Sequence, residues 1–145
     1  MPSRIEVVEF LRTMLGTPFH HQGRLPGVGI DCIGAVIVPL QYFKIMDYDV
    51  GIYSRLPDSS KIYAFLSEAE KNGIAWVIPK KDRLPGDVGL FRIRKEPQHF
   101  AWITDVGVLH AQYSNNPKRK SVVEHSMDQK WLDSLIKVYR IKGIE

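Results

Sequence analysis

The chain changes its periodicity at its midpoint, and that change limits the folds open to it. Three segments with helical spacing of apolar residues lie in the first 73 positions, and short alternating runs dominate the remainder. Helices first and strands second argue for an α+β fold built on a small antiparallel β-sheet, and against alternating β/α units. Ser3-Arg4-Ile5-Glu6 is a capping box, with Ser3 as N-cap and Glu6 reaching back. Ile5, Val8, Phe10 and Leu11 follow at rough helical spacing, and Gly16 marks a stop. Thr17 to Gly29, rich in Gly, Pro, Arg and His, reads as a loop. A second helix is expected from near Cys32 toward Phe43, ended or kinked by Pro39. Tyr48 to Leu56 reads as irregular. Pro57-Asp58-Ser59-Ser60 then opens a third helix through Ile62, Phe65, Leu66 and Ala69 to Asn72-Gly73.

In the second half Trp76-Val77-Ile78 and Val88 to Ile93 read as strands, with Leu84-Pro85-Gly86-Asp87 as the turn between them. His99 to Thr104 and Val108 to Gln112 form a hairpin about Asp105-Val106. Val122 to His125 and Lys137 to Ile141 complete the sheet, with a short helix from Gln129 to Leu135 between them. At 145 residues the chain is expected to be one domain, large enough for a core without staples.

Cys32 is the single cysteine, so an internal disulfide is excluded and no cysteine pair can hold zinc. It follows the loop Gly29-Ile30-Asp31 and precedes the apolar run Ile33 to Val38. A thiol at a helix N-terminus feels the positive end of the dipole, which favours thiolate. A single buried cysteine serves equally well as a small hydrophobe, and this segment alone does not choose between the two.

A nucleophilic thiol needs a base, usually histidine, and the base needs an orienting group. The chain has five histidines. With Asp105-Val106 as the turn, Ala101 faces His110, and His99 lies diagonally across from His110 on the same face. Two imidazoles then come within reach, one as base and one holding its tautomer. Two strand residues with local hydrogen bonds fit the same spacing. His20-His21 is a poor chelate, because adjacent strand residues point to opposite faces, and no metal or other cofactor is expected. The doublet fits a pocket rim or a solvated loop, and His125 reads as structural or surface.

The net charge of +4 is a mild bias toward anionic partners, and no aromatic-rich basic motif for nucleic acid is present. The basic runs Arg92, Arg94, Lys95 and Lys118-Arg119-Lys120 read as solvated loops, or as a surface that attracts an anionic glycan polymer. No segment has transmembrane length. The start, Met1 to Glu6, lacks the apolar region of a signal peptide, so synthesis without a signal peptide is expected.

Five motifs occur in one order: Gly16-Thr17-Pro18-Phe19, Gly29-Ile30-Asp31-Cys32-Ile33-Gly34, Pro85-Gly86-Asp87-Val88, His99-Phe100-Ala101-Trp102-Ile103 and Leu109-His110-Ala111. Together they resemble the NlpC-type cell-wall cysteine peptidases, in particular the short single-domain subgroup encoded with phage-tail and gene-transfer-agent genes. The resemblance runs from Gly16 to the C-terminal strand and implies a papain-like fold, with residues 1–145 as one peptidase domain. It places the nucleophile at Cys32, the base at His99 and the orienting group at His110. Phe19, His20, His21 and Asp31 become candidates for contact with substrate. The implied substrate is the stem peptide of peptidoglycan, often cut between γ-linked D-glutamate and a diamino acid. The implied partner and place of action is the bacterial wall, with phage-tail proteins as partners where the chain belongs to a phage-like particle; a cytoplasmic enzyme that recycles wall fragments fits the start of the chain equally. Many members carry Tyr where Phe19 stands, so one hydroxyl is missing here. Two other readings stay open: a tail-tip or wall-binding protein with little activity, and an amidase or acyltransferase on another amide.

Overall fold

The structure is a computed structural model that describes residues 1–53, 59–93, 96–114, 116, 118 and 120–145. Leu56, Pro57, Asp58, Arg94, Lys95 and Arg119, all named above, lie outside the described residues, as does the Ile62 side chain.

Helix α1 (Arg4–Thr13) begins at the expected capping box: the Glu6 amide donates to Ser3 Oγ at 3.1 Å, and the Ser3 amide to Glu6 Oε2 at 2.7 Å. Its buried stripe is Val7, Val8 and Leu11, while Ile5 faces solvent. Arg12, in its last turn, reaches Glu124 at 2.9 Å and Asp105 at 2.6 Å, tying the helix to the far edge of the sheet. The loop from Thr17 to Gly29 contains something the sequence did not signal. Arg24–Leu25 (β1) and Gly29–Ile30 (β2) pair antiparallel. Strands of two residues are too short to show any periodicity.

Helix α2 (Gly34–Tyr42) is apolar on nearly every side, as suits a helix buried at the centre of a protein. Gly34 is required by close approach, since a Cβ there would overlap the Gly23 carbonyl. Pro39 neither ends nor breaks the helix. It has no N–H to give to the Ala35 carbonyl four residues back. That carbonyl instead accepts from the indole Nε1 of Trp102 at 2.7 Å. Trp102→Phe should therefore cost about 1–3 kcal/mol, because it leaves a buried carbonyl unpaired. Urea denaturation would measure this, and a change under about 0.5 kcal/mol would remove the account of how Pro39 is accommodated.

Helix α3 (Ser59–Lys71) buries Phe65, Leu66 and Ala69. The strands are β3 (Ala75–Ile78), β4 (Val88–Ile93), β5 (Glu96–Ile103), β6 (Val108–Ala111), β7 (Val122–His125) and β8 (Leu135–Ile141). They form one six-stranded sheet in the order β3-β8-β4-β5-β6-β7, antiparallel throughout. A short helix, α4 (Gln129–Ser134), is capped by Asp128. The 3-10 turn at Lys80–Asp82 was not anticipated.

Alternation along the strands separates the two faces of the sheet. Phe100 meets Phe65 of α3 at a centroid distance of 5.8 Å, and Trp102 meets α2, so one face packs on the helices. Phe91, Ala101, Ile103, Val108, Leu135 and Val138 pack on the other face, beneath Trp131 of α4. The turn before β4 carries Asp87, fully buried between Arg4 at 3.1 Å and Arg140 at 2.9 Å. Among the described residues, no helix is long and apolar enough to cross a membrane.

Candidate active site

Asp31 sets the N-terminus of α2. Its backbone carbonyl accepts from the Ala35 amide at 2.9 Å, and its Oδ1 accepts from the Gly34 amide at 2.8 Å. These bonds close the turn that leads into α2, and Cys32 lies in that turn, two residues ahead of Gly34. The carboxylate is only 2% exposed. It also accepts from the Gln22 amide at 2.9 Å, from Arg24 Nη1 at 3.1 Å and from the Tyr53 hydroxyl. Asp31 was a candidate for contact with substrate. Its oxygens are engaged by internal donors that tie the loop to the helix.

The Cys32 thiol is buried, and the amides of Ile33, Phe100 and Cys32 itself face it. The Phe100 amide belongs to β5 and directly follows His99. Burial pushes the thiol up to about 12, and the charge of Asp31 adds to that shift. The helix dipole was expected to lower this pKa. At this site desolvation is the larger effect, because the thiolate would sit in a dry interior beside a carboxylate.

The hairpin has the expected register. Trp102 pairs with Leu109 and Ile103 with Val108, so His99 and His110 share the face covered by α4. His99 Nε2 and His110 Nδ1 are 2.8 Å apart, with the rings edge to face. A third imidazole continues the line. His125 lies opposite Val108 on β7, diagonal to His110, and His110 Nε2 is 2.9 Å from His125 Nε2. His125 was read as structural or surface; it is half-buried and bonded to the pair. Gly107 permits this approach, since a Cβ there would overlap the His125 carbonyl. Trp131 covers all three rings, at centroid distances of 6.2 Å from His99 and 4.8 Å from both His110 and His125. The rings form a line, and among the described residues no cluster of His, Cys, Asp or Glu could hold a metal ion.

Burial, with His125 as the lesser cause, lowers the pKa of His99 to about 4, and burial lowers that of His110 as well. The unfolded chain takes up these protons near the ordinary value of 6.5, the folded His99 only near 4. Between those values the unfolded state binds more protons, so stability falls as pH falls. The unfolding free energy should therefore decline from pH 6.5 toward 4, and the slope should flatten in His99→Phe. Equal slopes would contradict the neutral buried pair.

The remaining candidates stand apart from these rings. Phe19 packs edge-on against Tyr113 at 5.5 Å, with the Lys120 ammonium over both rings. Lys120 is thus more than a solvated loop residue. His20 is exposed, and its Nδ1 bonds the His21 carbonyl at 3.0 Å. His21 lies edge-on to Tyr53 at 5.4 Å, and its buried Nδ1 has no hydrogen-bond partner among the described residues. The Tyr53 hydroxyl is committed to Asp31, so it does not replace the hydroxyl missing at Phe19.

No protein-family model and no curated protein matches this chain. Solved structures do. The NlpC/p60 domain of the peptidoglycan hydrolase SagA superposes over 96% of this chain and 99% of its own, with a TM-score of 0.61 at 20% identity. An NlpC/P60 family protein from Bacillus cereus gives a TM-score of 0.68 at 18% identity, over 97% of this chain and 40% of that protein. NlpC1 from Trichomonas vaginalis gives 0.60 at 15% identity, over 93% and 42%. The SagA domain is thus matched nearly end to end, and the larger proteins over less than half their length. The chain has the mixed helix-and-sheet fold of these NlpC/p60 domains.

Proposed function

We propose that this protein is a cysteine peptidase of the papain-like kind that hydrolyses stem peptides of peptidoglycan. One observation carries the reading: a buried thiol in the turn that leads into α2 receives the Phe100 amide of the strand that bears His99, and His99 is hydrogen-bonded to His110. The likeness to a domain of a peptidoglycan hydrolase supports the choice of substrate. In this reading His99 takes the Cys32 proton as the sulfur attacks the scissile carbonyl, and His110 holds the His99 ring. The backbone N–H of Cys32 contributes to binding the oxyanion. The imidazolium returns its proton to the leaving amine, and water then hydrolyses the thioester to a free carboxylate and the thiol. Burial disfavours lone ionisation of either group, so thiolate and imidazolium form together as the proton moves.

The proposed bond is the one between γ-D-glutamate and the diamino acid, and the proposed setting is a phage tail or phage-derived particle acting on the wall. Both rest on the motif resemblance. Phe19 favours a second reading, a wall-binding or tail-tip protein that keeps the fold with little turnover. Digestion of purified peptidoglycan and soluble muropeptides, with products read by mass spectrometry, separates them. A defined released peptide with a new carboxylate supports the peptidase. A new amide would mark an acyltransferase instead, and an intact substrate after incubation with folded protein supports the binding reading.

A further inference from the structure

We propose that His125 is a positioning residue, which acts through His110 to decide which nitrogen of His99 carries the proton. The proposal rests on the peptidase reading for its kinetic consequence, and on the geometry alone for the tautomers.

A backbone carbonyl fixes the first tautomer. His125 Nδ1 lies 2.9 Å from the Ser126 oxygen. A carbonyl oxygen can only accept, so Nδ1 of His125 carries the hydrogen. In the neutral ring Nε2 then holds the lone pair. His110 Nε2 is 2.9 Å away, a distance that needs one donor and one acceptor, so His110 donates from Nε2. Neutral His110 therefore presents a lone pair at Nδ1. His99 Nε2, at 2.8 Å, must donate to it. That leaves Nδ1 of His99 without a proton, which is the state that the peptidase reading requires of the base. One carbonyl thus sets three tautomers in sequence, each ring passing the constraint to the next.

The surroundings make the constraint effective. His110 is 3% exposed and Trp131 lies over the line of rings, so water does not readily replace His125 as the acceptor. Burial also keeps His99 and His110 neutral, which the argument requires. Remove His125, and His110 Nε2 loses its acceptor. His110 can then carry its hydrogen on Nδ1 and donate to His99 Nε2. The proton of His99 is forced onto Nδ1, where it blocks the base.

The test compares His125→Phe, which deletes the acceptor, with His125→Gln, whose amide oxygen can reach the place of Nε2. The primary readout is ring nitrogen NMR of the full-length resting protein at about pH 8, where free imidazoles are neutral. Wild type and His125→Gln should show His99 protonated at Nε2, and His125→Phe should show a shift toward Nδ1–H. With muropeptide as substrate, kcat should fall about 100-fold in His125→Phe with KM little changed, and His125→Gln should recover most of that loss. A His99 protonated at Nδ1 in folded wild type would overturn the proposal directly, even if the Phe variant failed to fold. So would a folded Phe variant with unchanged tautomer and kcat. If wild type cleaves no muropeptide yet shows the expected tautomers, the peptidase reading fails and the positioning chain stands.

Discussion

Cys32→Ala should abolish release of peptide from peptidoglycan, a loss of about 10⁴-fold or more, in a protein that remains folded. The expected size follows from the chemistry. Without sulfur no thioester can form, and the two-step path through an acyl-enzyme closes. The fold should survive, because the change removes one buried sulfur from a site where the turn into α2 is closed by Asp31 and not by the thiol. Release rates measured by mass spectrometry, with circular dichroism as the control for folding, test this. A folded variant that retains a tenth of wild-type activity would show that another group is the nucleophile.

The second large effect is on stability. Asp31→Ala should cost about 3–5 kcal/mol, the range for removing one partner of a buried charged network. Three kinds of donor lose their acceptor at once: backbone amides of Gln22 and Gly34, the Arg24 guanidinium and the Tyr53 hydroxyl. Arg24 keeps Asp49, at 2.8 Å, so its charge is not wholly stranded. The bond that closes the turn into α2 is lost in the same step, so the turn that carries Cys32 should loosen and activity should fall further than the unfolded fraction explains. An unfolding free energy within about 1 kcal/mol of wild type would mean that these bonds contribute little.

Much of this arrangement could be read from the residues, and what could not has specific causes. The strand Val88 to Ile93 and the capping box at Ser3 follow from local chemistry and appear where expected. The turn about Asp105-Val106 fixes the register of β5 and β6, so the approach of His99 and His110 was legible too. His125 was not, because residues 112–121 separate β6 from β7 and a connection of that length sets no register. The enclosure of Asp31 was not legible for a related reason, because its partners come from Gln22, Arg24 and Tyr53. The Cys32 thiol failed the expectation from the dipole because that argument is local, whereas burial is a property of the assembled core. Ile5, periodic with the buried stripe of α1, is nonetheless exposed, because helical spacing alone does not show where a neighbouring element ends.

The central claim is that Cys32 carries the acyl group of a stem peptide. The direct measurement is a single turnover with a muropeptide, quenched in acid and followed by intact-mass and peptide mapping. The account predicts a transient adduct equal in mass to the acyl fragment, located on the peptide that contains Cys32 and absent from Cys32→Ala. Cleavage without any adduct on that peptide, with Cys32→Ala cleaving at the wild-type rate, would contradict it.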